Sequence, residues 1–442
     1  MPKNILVENG TVTALGRNSL FDLTTDYAGM RAAYEAALEQ HKELGKNADS
    51  LPKYLKEQGV VDYRDEAYLP AKKLHLLRSE AKKRQESAAP CSLLPLDATG
   101  YQSEAMALLA NLENDEVIKQ VYKRNNHSLG QSRNAGLTTG EALRIKYCLR
   151  QGRDLFNAGH VGPALVKPLN YFYSLTAYAY GLIVTRNPLR NKVEQIPGSH
   201  GLDYINDGVY FRFGGDRKQG TFSDLHGSHT NTLIFAADTD FSINRANSIT
   251  KYHENSAVLS VGTLYSMVPE LKDYYRIVTG HGSRCHPLEI SRTGDRTSLA
   301  WEWRIGNGVH KPEREDIEKS FPDCAFSEKH GKYVISIAQD QLDAIDPIVQ
   351  SDARNHLWYT ENPIHPICLS TLDMHFLITC ALSNIMRYSP DKWGSILLNE
   401  VDGNISLITQ RYLSSLEAVL PLIVLRELSP YYPYVRDGLT SR

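Results

Sequence analysis

The feature that most constrains this chain is residues 365–393, HPICLSTLDMHFLITCALSNIMRYSPDKW. Leu372, Phe376, Leu382, Ile385 and Met386 recur at helical spacing, and Leu377, Ile378, Cys380 and Ala381 fill the faces between them. A helix apolar on nearly every side belongs in the middle of a domain. It stops at Ser389-Pro390, because the residue before a proline is pushed out of helical backbone. Asp373, His375, Thr379, Ser383 and Asn384 interrupt it, so it lacks the roughly 20 apolar residues of a bilayer span. A chain of 442 residues with 42% hydrophobic content has room for such a core and for two or three domains.

A net charge of -2 excludes a global basic field. The basic cluster Lys72, Lys73, Arg78, Lys82, Lys83 and Arg84 reads as the solvated face of a helix over 66–87. Six cysteines without a CxxC pair (Cys91, Cys148, Cys285, Cys324, Cys368, Cys380) fit a reducing compartment. MPKNILVENG lacks the apolar core of a signal peptide, and the expectation is a cytoplasmic protein with no membrane partner.

Residues 1–25 alternate around Asn9-Gly10 as a hairpin or extended arm, and Met30, Ala33, Tyr34, Ala37 and Leu38 form one face of a helix over 26–44. Residues 86–102 read as a connector, 103–124 as one helix and 125–136 as a loop, with a domain boundary near 135. Thr138 and Glu141 have capping-box spacing and open a helix to about 158. Pro163 and Pro168 lead into the helix LNYFYSLTAYAYGLIVT, where Tyr171, Tyr173, Tyr178 and Tyr180 are read as core packing with hydroxyls at the rim.

From 195 to 345, short alternating runs at 208–213, 231–237, 298–305 and 332–338 read as strands, with one helix over 255–275 among them. The helix over 404–428 should kink at Pro421. The fold class is therefore mostly α with a mixed α/β insertion. A helical N-terminal module (1–135) precedes a domain over 136–442, whose helical blocks at 138–190 and 364–428 form one core.

With these residues in view, about 140–430 resembles the YaaC-like family of bacterial proteins. The resemblance rests on YFYSLTAYAYGLIVT, then GSHGL (198–202), LYSMVPELKDYY and the terminal block ending ALSNIMRYSPDKW, in that order. It leaves the first 135 residues outside. The family has no established reaction; relatives lie in bacterial genomes, some near defence genes, which implies a role in defence without a mechanism.

No P-loop, dinucleotide fingerprint or nucleophile elbow is present, and the sequence displays no reaction. His200, His226, His229, His253, His281 and His286 gather in the middle region. Asp224, His226 and His229 could offer zinc three ligands, although loop histidines held by backbone partners are the default. Asp238 and Asp240 could hold magnesium or simply a solvated turn. Arg276 with His281, and Arg304 with His310, match the spacing of HEPN ribonucleases, but both intervals contain glycine. Arg387 reads either as a structural partner of the helix dipole and of Trp393 or as an anion-binding group. With Trp393, Tyr173 and His200 it makes the candidate ligand set.

The expected function is binding, as a sensor or accessory subunit in antiphage defence. The alternative is a HEPN-type or metal-dependent nuclease. A protein partner is expected, or a second copy meeting the tyrosine-rich helix; nucleic acid is a further candidate partner.

Overall fold

The computed structural model describes residues 4–8, 11–15, 27–44, 50–60, 92–126, 136–186, 192–205, 207–212, 220–228, 232–235, 242–245, 256–293, 296–302, 312–321, 324–338, 348–364, 368–401, 403–429 and 431–436. The helix expected over 66–87 with its basic cluster, and Cys91, His229, Asp238, Asp240, His253, Arg304 and His310, lie outside them. The chain divides into two compact units, one within Met1–Lys83 and one holding every described residue from Ser92 onward.

In the first unit, β1 (Asn4–Glu8) and β2 (Thr11–Leu15) form the antiparallel hairpin that the alternation around Asn9-Gly10 suggests, with Val7 opposite Val12. The helices α1 (Tyr27–Glu43) and α2 (Leu51–Glu57) bury Tyr34, Ala37 and Leu55 against one another.

The second unit begins with a strand inside the expected connector, β3 (Ser92–Leu96). The single helix expected over 103–124 is two, α3 (Tyr101–Asn111) and α4 (Asp115–Asn126). Asn114 makes the break: its side-chain oxygen accepts the Glu116 N–H at 2.9 Å, offering the backbone an N-terminal cap instead of a continued helix.

The helix α5 (Thr139–Val161) opens on the expected capping box. Glu141 N–H donates to Thr138 Oγ1 at 3.3 Å, and Thr138 N–H donates to the Glu141 carboxylate at 2.9 Å. A 3-10 turn (Ala164–Val166) leads to α6 (Lys167–Arg186), the tyrosine-rich helix, with Pro168 in its first turn. Glycines let the two helices approach closely. A Cβ on Gly159 would stand 2.5 Å from the Tyr171 ring, and one on Gly152 would stand 3.0 Å from the Tyr178 ring. Ser174 Oγ ties the pair by donating to the Gly152 carbonyl at 2.6 Å. Tyr171 and Tyr178 are therefore core residues.

The mixed region follows. β4 (Leu202–Ile205), β5 (Gly208–Arg212) and β8 (Ser256–Ser260) form a three-stranded antiparallel sheet. Between β5 and β8 come α7 (Thr221–His226) and the paired strands β6 (Thr232–Phe235) and β7 (Ser242–Arg245). The helix expected over 255–275 is instead β8, α8 (Val261–Ser266), a 3-10 turn at Pro269–Leu271 and α9 (Lys272–Thr279). Residues 256–260 pair with β5, Ser260 then caps α8 by accepting the Thr263 N–H, and Pro269 supplies no N–H to continue a helix.

Next come β9 (Cys285–Pro287), β10 (Glu289–Thr293), β11 (Arg296–Glu302), α10 (Arg314–Ser320), β12 (Ala325–Lys329), β13 (Lys332–Ala338), β14 (Ile348–Ser351) and β15 (Leu357–Thr360). The sheet orders are β10-β11-β13-β12 and β14-β15-β9. Leu299, Trp301, Tyr333, Ile335 and Ile337 from these strands bury a cluster with Ile317, Phe321 and Tyr359.

The apolar stretch that constrains the fold becomes α11 (Thr371–Tyr388), buried along most of its length. It starts at Thr371, six residues after the opening of the stretch, because Ser370 and Asp373 form a second capping box. Pro390 then begins α12 (Pro390–Leu397). The 26-residue α13 (Gly403–Leu428) continues through Pro421, and β16 (Tyr431–Val435) pairs in parallel with β3. The architecture is mostly α with a mixed α/β region, and α6, α11 and α13 pack in its helical core.

Candidate ligand site at the end of the buried helix

Three of the four expected ligand residues come together at the C-terminal end of α11. His200 is carried there by GSHGL, whose backbone presses directly on the start of α7. Thr221 and Phe222 donate their N–H groups to the Ser199 and His200 carbonyls at 2.9 and 3.1 Å. Gly201 has φ 70°, and a Cβ on Gly220 would fall 2.0 Å from the Gly201 nitrogen. Only two glycines can cross at that separation.

The His200 ring meets Phe172 edge-on at 4.8 Å between centroids and lies 6.1 Å from Tyr173. Burial lowers the pKa of His200, and the nearby Arg387 charge lowers it further, so its neutral form is favoured. Its Nδ1 is buried and has no hydrogen-bond partner among the described residues.

Arg387 lies in the last turn of α11. Its Nε donates to the Ser383 carbonyl at 3.3 Å, and its guanidinium sits 4.9 Å from the Tyr388 ring centroid. It forms no ion pair among the described residues. Tyr388, beside the guanidinium, is 71% exposed, and Tyr173, beside His200, is 36% exposed. Cys380, one turn below Asn384, has its thiol pushed up to about 12, chiefly by burial, and stays protonated.

Trp393 does not join this site. The expected stacking of Arg387 on Trp393 is replaced by its contact with Tyr388, because Ser389-Pro390 turns the chain into α12. Trp393 is 1% exposed and donates its indole N–H to the Leu165 carbonyl at 2.9 Å, fastening α12 to the 3-10 turn before α6.

Of the zinc trio, Asp224 and His226 are buried on α7. His226 Nδ1 is 2.8 Å from Asp373 Oδ2, which makes His226 a link between α7 and α11. Among the described residues no group of three His, Cys, Asp or Glu side chains is arranged to hold a metal ion. Of the HEPN pairs, Arg276 lies on α9, whose last residue is Thr279. Gly280, with φ 72°, ends the helix and takes His281 off it. No hydrogen bond joins the Arg276 and His281 side chains among the described residues.

Spacing did not reveal the long-range charge pairs. Glu361 accepts from Arg284 at 3.2 Å and pairs with His286 at 2.7 Å. Arg153 grips Glu113 through two bonds, and Glu417 accepts from Lys167 and from the Tyr171 hydroxyl. Local sequence carries no signal for partners 40 to 250 residues apart.

The fold and this corner define a mostly helical protein with a half-buried, cation-bearing site. Among the described residues no helix is long and apolar enough to cross a membrane. The model of the YaaC-like protein family matches residues 110–428, well over half of the sequence, and the chain belongs to that family. The match starts about 30 residues before the resemblance read from motifs and takes in α4. No curated protein and no solved structure matches the chain.

Proposed function

We propose that this protein acts by binding, as a cytoplasmic bacterial sensor or accessory subunit in antiphage defence, and that the corner at the end of α11 takes an anionic ligand. One observation carries the reading. Among the described residues, Arg387 has no carboxylate partner and the buried Nδ1 of neighbouring His200 has no hydrogen-bond partner. Together they offer a charge-assisted donor fork and a neutral imidazole, with Tyr173 and Tyr388 as flat walls; phosphate or carboxylate suits the fork. The membership supports a shared family role without naming a ligand.

Calorimetric titration with nucleoside triphosphates, nucleoside monophosphates and inorganic phosphate tests this. Binding that Arg387→Ala weakens about tenfold or more, without a change in Tm, is the expected result. Equal binding by wild type and Arg387→Ala, or no binding to any probe, overturns it. The competing class, a nuclease acting through Arg276 and His281, predicts cleavage of RNA or DNA that His281→Ala abolishes in a folded protein.

A further inference from the structure

We propose that the face of α9 carrying Lys272, Tyr275 and Arg276, with Trp358 and Arg284 beside it, is a binding surface for single-stranded nucleic acid. It shares no residue with the corner at Arg387 and does not depend on it.

Helical spacing puts Lys272 and Arg276, four residues apart, on one side of α9 with Tyr275 between them. Lys272 Nζ lies 5.2 Å from the centroid of the Trp358 ring. Burial lowers the Lys272 pKa and Arg276 adds to this, while neighbouring Asp273 opposes it. Neither Lys272 nor Arg276 forms an ion pair among the described residues. Arg284 is close enough for its charge to act on the Tyr275 hydroxyl.

Asp273 acts on Lys272 from the same helix, and the neighbouring carboxylates Glu361 and Asp352 have partners of their own. Glu361 holds Arg284 and His286. Asp352 accepts from the Trp358 indole at 3.1 Å, pairs with His356 at 3.2 Å, and accepts the Arg354 and His356 backbone N–H groups. With Arg284 held by Glu361, the face offers Lys272 and Arg276, which have no ion pair among the described residues, against Asp273, together with two partly exposed aromatic side chains.

That pairing of groups selects the partner. Cations alone would take any polyanion, including a duplex or an acidic peptide. Aromatic faces interleaved with cations suit a strand whose bases are free to stack, since base-on-aromatic stacking contributes about 1–3 kcal/mol per base. Duplex DNA keeps its bases stacked inside and presents mainly phosphates to such a surface.

The test is fluorescence anisotropy of the full chain with labelled oligo-dT and oligo-rU, a duplex of equal length and a polyglutamate peptide, across a salt series. Single strands should bind more tightly than the duplex, and Trp358 emission should change on binding. The double variant Lys272→Gln/Arg276→Gln, with an unchanged circular dichroism spectrum, should lose about tenfold or more in affinity and show a shallower salt slope. Equal affinity for duplex and single strand, polyglutamate binding as tight as oligonucleotide, or a double variant that binds normally would each overturn the proposal. If the double variant fails to fold, Trp358→Phe replaces it, with weakened single-strand binding expected and unchanged binding contrary.

Discussion

His226 Nδ1 and Asp373 Oδ2 stand 2.8 Å apart, and both residues are almost fully buried. The same Asp373 oxygen accepts the Ser370 N–H at 2.8 Å, so one carboxylate starts the central helix and fastens α7 to it. Asp373→Ala removes both bonds and strands the imidazole in the core. The expected loss is about 1–3 kcal/mol, as for a buried polar group left without its hydrogen-bond partner. Urea unfolding of Asp373→Ala beside His226→Ala checks it, and an unfolding midpoint within error of wild type for either variant would refute the linking role.

The crossing of Gly201 and Gly220 predicts an intolerant position. A Cβ on Gly220 would lie 2.0 Å from the Gly201 nitrogen and 2.3 Å from the His200 carbonyl carbon, both backbone atoms. Gly220→Ala should therefore disrupt the segment that presents His200 and lower soluble yield sharply. Gly140→Ala is the control: among the described residues nothing lies within 4 Å of its added Cβ, and a gain of about 0.4–1 kcal/mol is expected inside the first turn of α5. Comparable behaviour of the two variants in thermal melts would count against the crossing.

Glu270, in the 3-10 turn before α9, has its pKa raised to about 7, first by burial and then by Asp352, against the opposing charge of Arg426. The folded state thus holds a proton that the unfolded chain releases near pH 4.5. The stabilisation is fully present below pH 4.5 and fades as pH rises through 7. Glu270→Gln should match wild type near pH 4.5 and exceed it by on the order of 2 kcal/mol at pH 8. Denaturant titrations at the two pH values measure this, and a pH-independent difference between the proteins would contradict it.

The thiols supply a chemical probe of burial. Burial pushes Cys285 and Cys380 up to about 12 and Cys148 up to about 11, so little thiolate exists at pH 8. A disulfide reagent applied to the native protein at pH 8 should leave these three unmodified for hours, whereas all six cysteines should react in urea. Peptide mapping that found Cys285 modified in the native state would show that β9 opens.

Arg153 tests how far a half-buried charge pair supports the helical core. Its Nε and Nη2 meet the two Glu113 oxygens at 2.5 and 3.2 Å, fixing the turn between α3 and α4 to α5. Lysine keeps the charge but lacks the fork, so Arg153→Lys should cost about 1 kcal/mol. Arg153→Ala should cost more, since it leaves the Glu113 carboxylate, only 12% exposed, without its partner. A urea series on both variants gives the order, and equal losses would assign the effect to charge alone.

The sequence by itself determined the elements whose causes are local. The capping box at Thr138 and Glu141, the apolar run of α11, the stop at Ser389-Pro390 and the alternating strands β5, β11 and β13 all follow from residues a few positions apart. Where a local cue competes with an equally local alternative, the reading is less sharp: the side chain of Asn114 splits α3 from α4, and pairing with β5 turns 256–260 into a strand.

Only the tertiary structure decided the rest. The parallel pairing of β3 with β16 joins Leu93 to Tyr432 across more than 300 residues of chain. The clamps His226–Asp373 and Arg284–Glu361–His286, and the meeting of Tyr173, His200 and Arg387, likewise link separate elements. Such contacts leave no periodicity behind, because each follows from how whole helices and sheets pack rather than from the spacing of neighbours along the chain.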